Sequence, residues 1–154
     1  MNSLTDRQLI DALKEASQAG VKIKMIIRGI CCILPGIEGK TDNIEVISVV
    51  GRFLEHSRIF CFGTGENMKM YIASADWMTR NTENRVEIAA PIYDQKIKNS
   101  IYDTLRIMWK DNLKARILCS NGTYKKPEIK EGDELIDCQN YLRHEYKVGR
   151  KIKL

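Results

Sequence analysis

Residues 51–58 contain the two side chains best suited to phosphoryl chemistry. The segment reads GRFLEHSR and places His56, one of only two histidines in the chain, two positions before Arg58. If a strand begins at Arg58, the alternation of strand side chains predicts that both point the same way. An imidazole can give or take a proton near neutral pH, and a guanidinium offers a fixed fork to phosphate oxygens. The pair can therefore serve a phosphoryl group, although an isolated His-x-Arg is more often an ordinary surface or core pair.

A second arginine, Arg28, follows a predicted buried strand. Residues 21–27 alternate apolar side chains with lysines and then become wholly apolar, which predicts a strand that ends at Arg28-Gly29. Ligands of α/β sheets gather at the carboxyl ends of strands. An arginine in that place either pairs with a carboxylate or binds an anion, and the sequence leaves both options open.

The composition is typical of one soluble globular domain, with 154 residues, 44% apolar and 29% charged side chains. No apolar run approaches the roughly 18 residues of a membrane span, and no signal peptide opens the chain. The five cysteines form no C-x-x-C pair, so we interpret them as reduced thiols of a cytoplasmic protein that has no zinc site.

The formal charge of +5 is concentrated towards the end of the chain, where the last eight residues carry four cations. Such a tail suits a polyanion such as nucleic acid, polyphosphate or a membrane face. Charge alone does not choose among them.

Hydrophobic periodicity predicts one α/β domain that begins with a helix capped by Ser3 and Asp6 and closed by Gly20. Trp77 is expected to pack in the core or against a hairpin. The predicted strands are 21–27, 45–50, a hairpin of 57–63 and 68–74, 85–92 and 115–119, and the later helices are 94–110 and about 133–144.

Four short blocks resemble the carboxyl-terminal domain of polyphosphate kinase, the phosphohistidine type, in order and spacing. The resemblance extends over nearly the whole chain, from NSLTD to DCQNYL, and it implies a phospholipase D-like domain with a mixed β-sheet flanked by helices. Complete enzymes of that family are several times longer, so residues 1–154 are expected to be the second C-terminal catalytic domain, without its upstream domains. The blocks are RGICCILPG (28–36), GRFLEHSR (51–58), SADWMTRNTENRVE (74–87) and KDNLKAR (110–116).

The sequence departs from the phospholipase D pattern H-x-K-x4-D followed by G-S-x-N. Arg58 replaces the lysine after His56, and Gly63 stands at the position of the aspartate. Ser74 and Asp76 lie where Ser-x-Asn would fall. These departures argue against the alternative of a homodimeric phosphodiesterase or nuclease in which each copy supplies one histidine.

The resemblance implies a transferase in which an upstream histidine takes the terminal phosphate of ATP and passes it to polyphosphate, reversibly. By motif match His56 is expected to be catalytic and to contact ATP, and Arg28 and Arg85 are expected to bind its phosphates. Glu87 and Arg58 are expected to hold these residues in place without contacting ATP themselves. Magnesium is implied, with ligands upstream and none in this chain.

The implied partners are ATP or ADP, inorganic polyphosphate and the upstream domains of a homo-oligomeric enzyme, with no nucleic acid. The isolated chain is expected to be inactive, because the phosphate-accepting histidine lies outside it. A further alternative is a non-catalytic polyphosphate- or anion-binding module that uses Arg28, Arg85 and the basic tail.

Overall fold

A computed structural model describes residues 1–148, and these contain seven strands and four α-helices. The basic tail predicted to meet a polyanion lies mostly outside the described residues. The helices are α1 (Arg7–Gln18), α2 (Thr79–Thr82), α3 (Gln95–Lys110) and α4 (Cys138–Lys147). The strands are β1 (Ile23–Ile26), β2 (Ile44–Val49), β3 (Ile59–Phe62), β4 (Lys69–Ala73), β5 (Ala89–Ile92), β6 (Ala115–Leu118) and β7 (Tyr124–Lys125).

The larger sheet has the order β1-β2-β6-β7 and is mixed. β1 runs parallel to β2, whereas β6 runs antiparallel to β2 with Ile47 opposite Ile117. β2 is central and buried at every residue except Glu45, because apolar clusters cover both of its faces. One cluster includes Ile10 of α1 and the other includes Ile107 of α3.

The smaller sheet consists of β3, β4 and β5, all antiparallel. The predicted hairpin is confirmed as β3 and β4, which a 3₁₀ turn at Gly65–Asn67 connects. Phe60 of this sheet stacks on Trp77 with ring centroids 5.0 Å apart, and Trp77 also packs against the cluster beneath α1. The predicted α/β domain with a mixed sheet and flanking helices is therefore confirmed, with the hairpin in a sheet of its own.

Residues 2–6 form an extended segment, here called the joining segment, which lies between the chain that follows β1 and the chain that follows β4. The Leu4 amide donates to the carbonyl of Ile30, and Leu4 accepts from the amide of Cys32, both at 2.9 Å. On the other side Thr5 donates to the Trp77 carbonyl at 2.8 Å. The joining segment thereby ties the two sheets together.

Most predicted ends differ from the observed ones by one or two residues, and the differences at α1, α4 and β5 have a structural interest of their own. Helix α1 is capped by Asp6, which accepts from the Leu9 amide at 3.0 Å, while Ser3 is buried in the joining segment. Helix α4 begins at Cys138 rather than near 133. Strand β5 begins at Ala89, four residues later than predicted.

Candidate functional site

Arg28 lies just beyond β1, held by the side chain of Asn2. Its Nε and Nη2 are 2.9 and 2.5 Å from the Oδ1 of Asn2. The Nδ2 of Asn2 donates to the Oγ of Ser3 at 3.0 Å, which turns the amide oxygen towards Arg28. Of the two options that the sequence left open, carboxylate pairing is not what the structure shows: the partner is a neutral amide.

The remaining nitrogen of this guanidinium is unpaired. Nη1 of Arg28 is buried and has no hydrogen-bond partner among residues 1–148. A buried donor without a partner costs about 1–3 kcal/mol. Asn2 occupies the Nε edge of the guanidinium, so the hydrogen-bonding capacity of Nη1 at the other end is unused.

Arg58 is paired with a buried carboxylate. Its Nη2 is 2.8 Å from the Oδ2 of Asp76, and the two side chains are only 15% and 5% exposed. Its Nη1 donates to the main-chain oxygen of His56 at 3.3 Å. Arg58 thus connects Asp76 to the backbone of the loop that carries His56.

The pKa of Asp76 is lowered by its surroundings, although burial alone would raise it. The hydrogen bond from Arg58 and those from the amides of Asn2 and Ser3 outweigh the burial, and the charge of Arg58 adds to them. The amides donate to Oδ1 at 2.7 and 3.2 Å. Asp76 is therefore an ionised anchor at neutral pH.

His56 lies in an extended loop three residues before β3, with its side chain exposed. Gln139, at the start of α4, holds this loop. It accepts from the Phe53 amide at 2.9 Å and donates to the Phe53 carbonyl at 2.8 Å and to Glu55 at 2.9 Å. The imidazole is thus presented to solvent from a loop with a fixed base.

The alternation predicted for His56 and Arg58 does not apply, because β3 begins at Ile59 and both residues precede it. The two side chains have different environments. Arg58 faces the Asp76 carboxylate in the interior, whereas His56 is exposed.

Arg85 and Glu87 lie in the loop that precedes β5, where Arg85 is exposed and Glu87 half-buried. Glu87 accepts from the Nδ2 of Asn81 at 2.6 Å and from the hydroxyl of Ser74. The Ser74 bond is the main reason why the pKa of Glu87 is lowered, and the nearby charges of Arg85 and Arg58 contribute. Glu87 thus fastens two loops while it lies within the field of both arginines.

Asn2 and Gln139 are the contributors that sequence reasoning missed. Asn2 bonds a residue 26 positions away, and Gln139 bonds one that is 86 positions away. No local pattern marks such contacts. In the sequence Asp76 stands out only as a departure from a motif, because burial is a property of the folded chain.

Residues 1–148 contain no cluster of protein ligands that could by itself enclose a metal ion. Within residues 1–148, no three His, Cys, Asp or Glu side chains converge to hold a metal ion. Of the carboxylates around Arg28 and Arg58, Asp76 and Glu87 each use both oxygens in hydrogen bonds.

Among the described residues no helix combines the length and the apolar character that crossing a membrane requires.

Comparison with known proteins gives consistent matches along the chain. The family model described as polyphosphate kinase C-terminal domain 2 matches residues 1–139. The polyphosphate kinase of Bacillus anthracis is 52% identical over 139 residues, which cover 90% of this chain and 20% of that protein. The polyphosphate kinase of Vibrio cholerae is 44% identical over 156 residues, which cover 99% of this chain and 22% of that protein.

A solved structure shares the fold. The crystal structure of polyphosphate kinase from Porphyromonas gingivalis superposes with a TM-score of 0.90 at 38% identity, covering 97% of this chain and 23% of that one. This chain thus spans about a fifth of the length of the curated relatives that it matches. The chain belongs to the polyphosphate kinase C-terminal domain 2 family.

Proposed function

We propose that this chain is the nucleotide-side catalytic domain, residues 1–154, of an enzyme that reversibly transfers the terminal phosphate of ATP to inorganic polyphosphate. The phosphate passes through a histidine on an upstream domain. Besides family membership, the observation that carries the proposal is the unpaired, buried Nη1 of Arg28 at the end of β1. This cationic donor has no acceptor among the described residues, and it lies at the carboxyl end of a strand, where α/β sheets bind their ligands.

Phosphoryl transfer needs positioning and charge neutralisation more than covalent help from the protein. Arg28 would fork onto oxygens of the β- and γ-phosphates. Arg85, which is exposed, would reach the same phosphates from the loop before β5. The exposed imidazole of His56 would donate a proton to the bridging or leaving oxygen.

Arg58 and Glu87 would hold these groups in place without contacting the substrate. Arg58 supports the His56 loop through its backbone, and Glu87 fixes Ser74 and Asn81. Magnesium would be held by residues upstream of this chain. The enzyme would be a cytoplasmic homo-oligomer that binds ATP or ADP and polyphosphate.

The test of catalysis uses the two histidines of the chain as a matched pair. In the full-length kinase that carries this chain, we expect His56→Ala to lower kcat for ATP-dependent polyphosphate synthesis by roughly 10²-fold or more. His144→Ala, on an exposed position of α4, should leave kcat unchanged. Equal activity in the two variants would contradict the proposal, as would turnover by the 154-residue chain alone.

Ligand binding to the full-length kinase is tested separately by calorimetry. The ligands are Mg-ATP and a medium-length polyphosphate, each at two salt concentrations. We expect saturable binding of Mg-ATP that Arg28→Ala abolishes. Arg7→Ala, a substitution at a highly exposed position of α1, should bind as wild type does. Polyphosphate binding that ignores Arg28→Ala and collapses with salt would instead indicate an anion-binding module.

A further inference from the structure

We propose that Asp76 is a positioning residue that fixes the Arg28 guanidinium relative to the loop that carries His56, an inference that rests on the proposed function. Its side chain is 5% exposed and lies between the two groups. Oδ1 bonds the joining segment that holds Arg28, and Oδ2 bonds Arg58, which holds the His56 loop. The anion- and proton-bearing halves of the site are thereby joined through one buried group.

The first arm runs from Oδ1 of Asp76 to Arg28. Oδ1 accepts from the amides of Asn2 at 2.7 Å and Ser3 at 3.2 Å. These bonds fix the backbone of the joining segment, and the Asn2 side chain then grips Nε and Nη2 of Arg28. Because Asn2 takes one edge of the guanidinium, the direction of its free end is set by this arm.

The second arm runs from Oδ2 of Asp76 to His56. Oδ2 is 2.8 Å from Nη2 of Arg58, and Nη1 of Arg58 donates to the His56 carbonyl. A charge-assisted bond of this kind is short and directional. The backbone position of His56 therefore depends on where the carboxylate stands.

Asp76 does not itself act on substrate, because both of its oxygens are already occupied by protein donors and almost none of the carboxylate is exposed. Its contribution is geometric. A displacement of about 1 Å in a reacting group can lower a rate by about 10²-fold, and both arms share one rigid carboxylate. Loss of the carboxylate should therefore affect kcat more than substrate affinity.

The variant Asp76→Asn has nearly the same size and retains an oxygen for the amides of Asn2 and Ser3, but it loses the acceptor for Arg58. In the full-length kinase we expect kcat to fall about 10- to 100-fold, with KM for ATP changed less than threefold. Asp42→Asn, at an exposed position before β2, is the matched control and should change neither. If Asp76→Asn does not fold, Arg58→Gln removes the same hydrogen bond by replacing its donor. This variant should likewise lower kcat while KM for ATP changes little.

Asn2 supplies the complementary readout. Asn2→Ala should raise KM for ATP at least about fivefold, since Arg28 loses the side chain that orients its guanidinium. In the otherwise wild-type enzyme, the loss of kcat/KM in the double variant Asn2→Ala/Arg58→Gln should differ about fivefold from the product of the two single losses. When Asp76→Asn is also present, the two losses should simply multiply.

The outcomes separate the two proposals. An active wild-type kinase in which Asp76→Asn and Arg58→Gln both keep normal kcat would overturn the positioning role and leave the proposed function standing. Multiplicative effects in both backgrounds would do the same. A wild-type enzyme without ATP-dependent phosphoryl transfer would instead refute the proposed function. All kinetics are measured well below the melting temperature of each variant, so that every variant is folded during the assay.

Discussion

Gln139 bonds both main-chain groups of Phe53, three residues before His56, through the two ends of one amide. Gln139→Ala should free this loop, and we expect kcat of the full-length kinase to fall about tenfold because His56 samples unproductive positions. The unfolding free energy should fall by only about 1 kcal/mol, since water can replace bonds at the exposed Phe53. Gln18→Ala, which removes an exposed amide bond to Gly39, is the control. Equal kcat in the two variants would show that the loop needs no support from α4.

Arg28→Lys should be nearly as damaging as Arg28→Ala for Mg-ATP binding. A lysine keeps the charge, but it cannot bond Asn2 with one edge and phosphate oxygens with the other. We expect either substitution to weaken binding at least about tenfold by calorimetry. Near-normal affinity in Arg28→Lys would mean that charge, and not the oriented fork, carries the interaction.

Asp111 should make the free energy of unfolding depend on pH in the acid range. It is 3% exposed and accepts from the amides of Leu113, Lys114, Ala115 and Cys138. Burial alone would raise its pKa, yet these hydrogen bonds hold the pKa below the ordinary value of 3.8. Its contribution to stability is therefore complete above pH 3.8 and is lost as the pH falls through the lowered pKa.

The variant Asp111→Asn isolates this effect from that of other carboxylates. At pH 7 we expect it to lower the unfolding free energy by about 2–4 kcal/mol, because buried amides lose an ionised acceptor. The difference from wild type should shrink at about pH 2.5, because the unfolded chain is then protonated at Asp111 and part of the stability that comes from the lowered pKa is lost. Urea unfolding at both pH values measures it. A difference that does not change with pH would refute the assignment.

Two phenylalanines of β3 offer a matched test of the packing between the smaller sheet and Trp77. Phe60 stacks on Trp77, whereas Phe62 is 53% exposed and its ring meets Tyr71 only edge-on, with ring centroids 6.3 Å apart. Phe60→Leu should therefore cost about 1–2 kcal/mol more unfolding free energy than Phe62→Leu. Chemical denaturation of both variants decides it, and equal losses would show that the stack adds nothing beyond burial.

Local patterns predicted the parts of the fold whose signals are local. The apolar stripe of α3, the alternation at the start of β1 and the turn between β3 and β4 were all visible in the sequence. The split into two sheets was not, because it depends on which strands pair. The late start of α4 was missed because residues before Asp137, its cap, bond to Asn112 on a distant loop instead.

Residue type and the resemblance to a family single out Arg28 and His56, and their roles stay predictions. The residues that hold them in place could not be predicted from the sequence. Asn2, Asp76 and Gln139 act through burial and through contacts that span 18 to 86 positions. Those contacts follow from tertiary packing, which one sequence does not display.

The joining segment has a consequence for the order of folding. Its bonds to Asp76 link residues 73 and 74 positions apart, whereas the hairpin of β3 and β4 closes over a short turn. Loop-closure entropy makes contacts of long sequence separation slow to form. We expect the hairpin to assemble early and the bonds of the joining segment late. A chain that has already built its secondary structure would then still be unable to orient Arg28, so ligand-binding competence should lag behind helix formation in a refolding experiment.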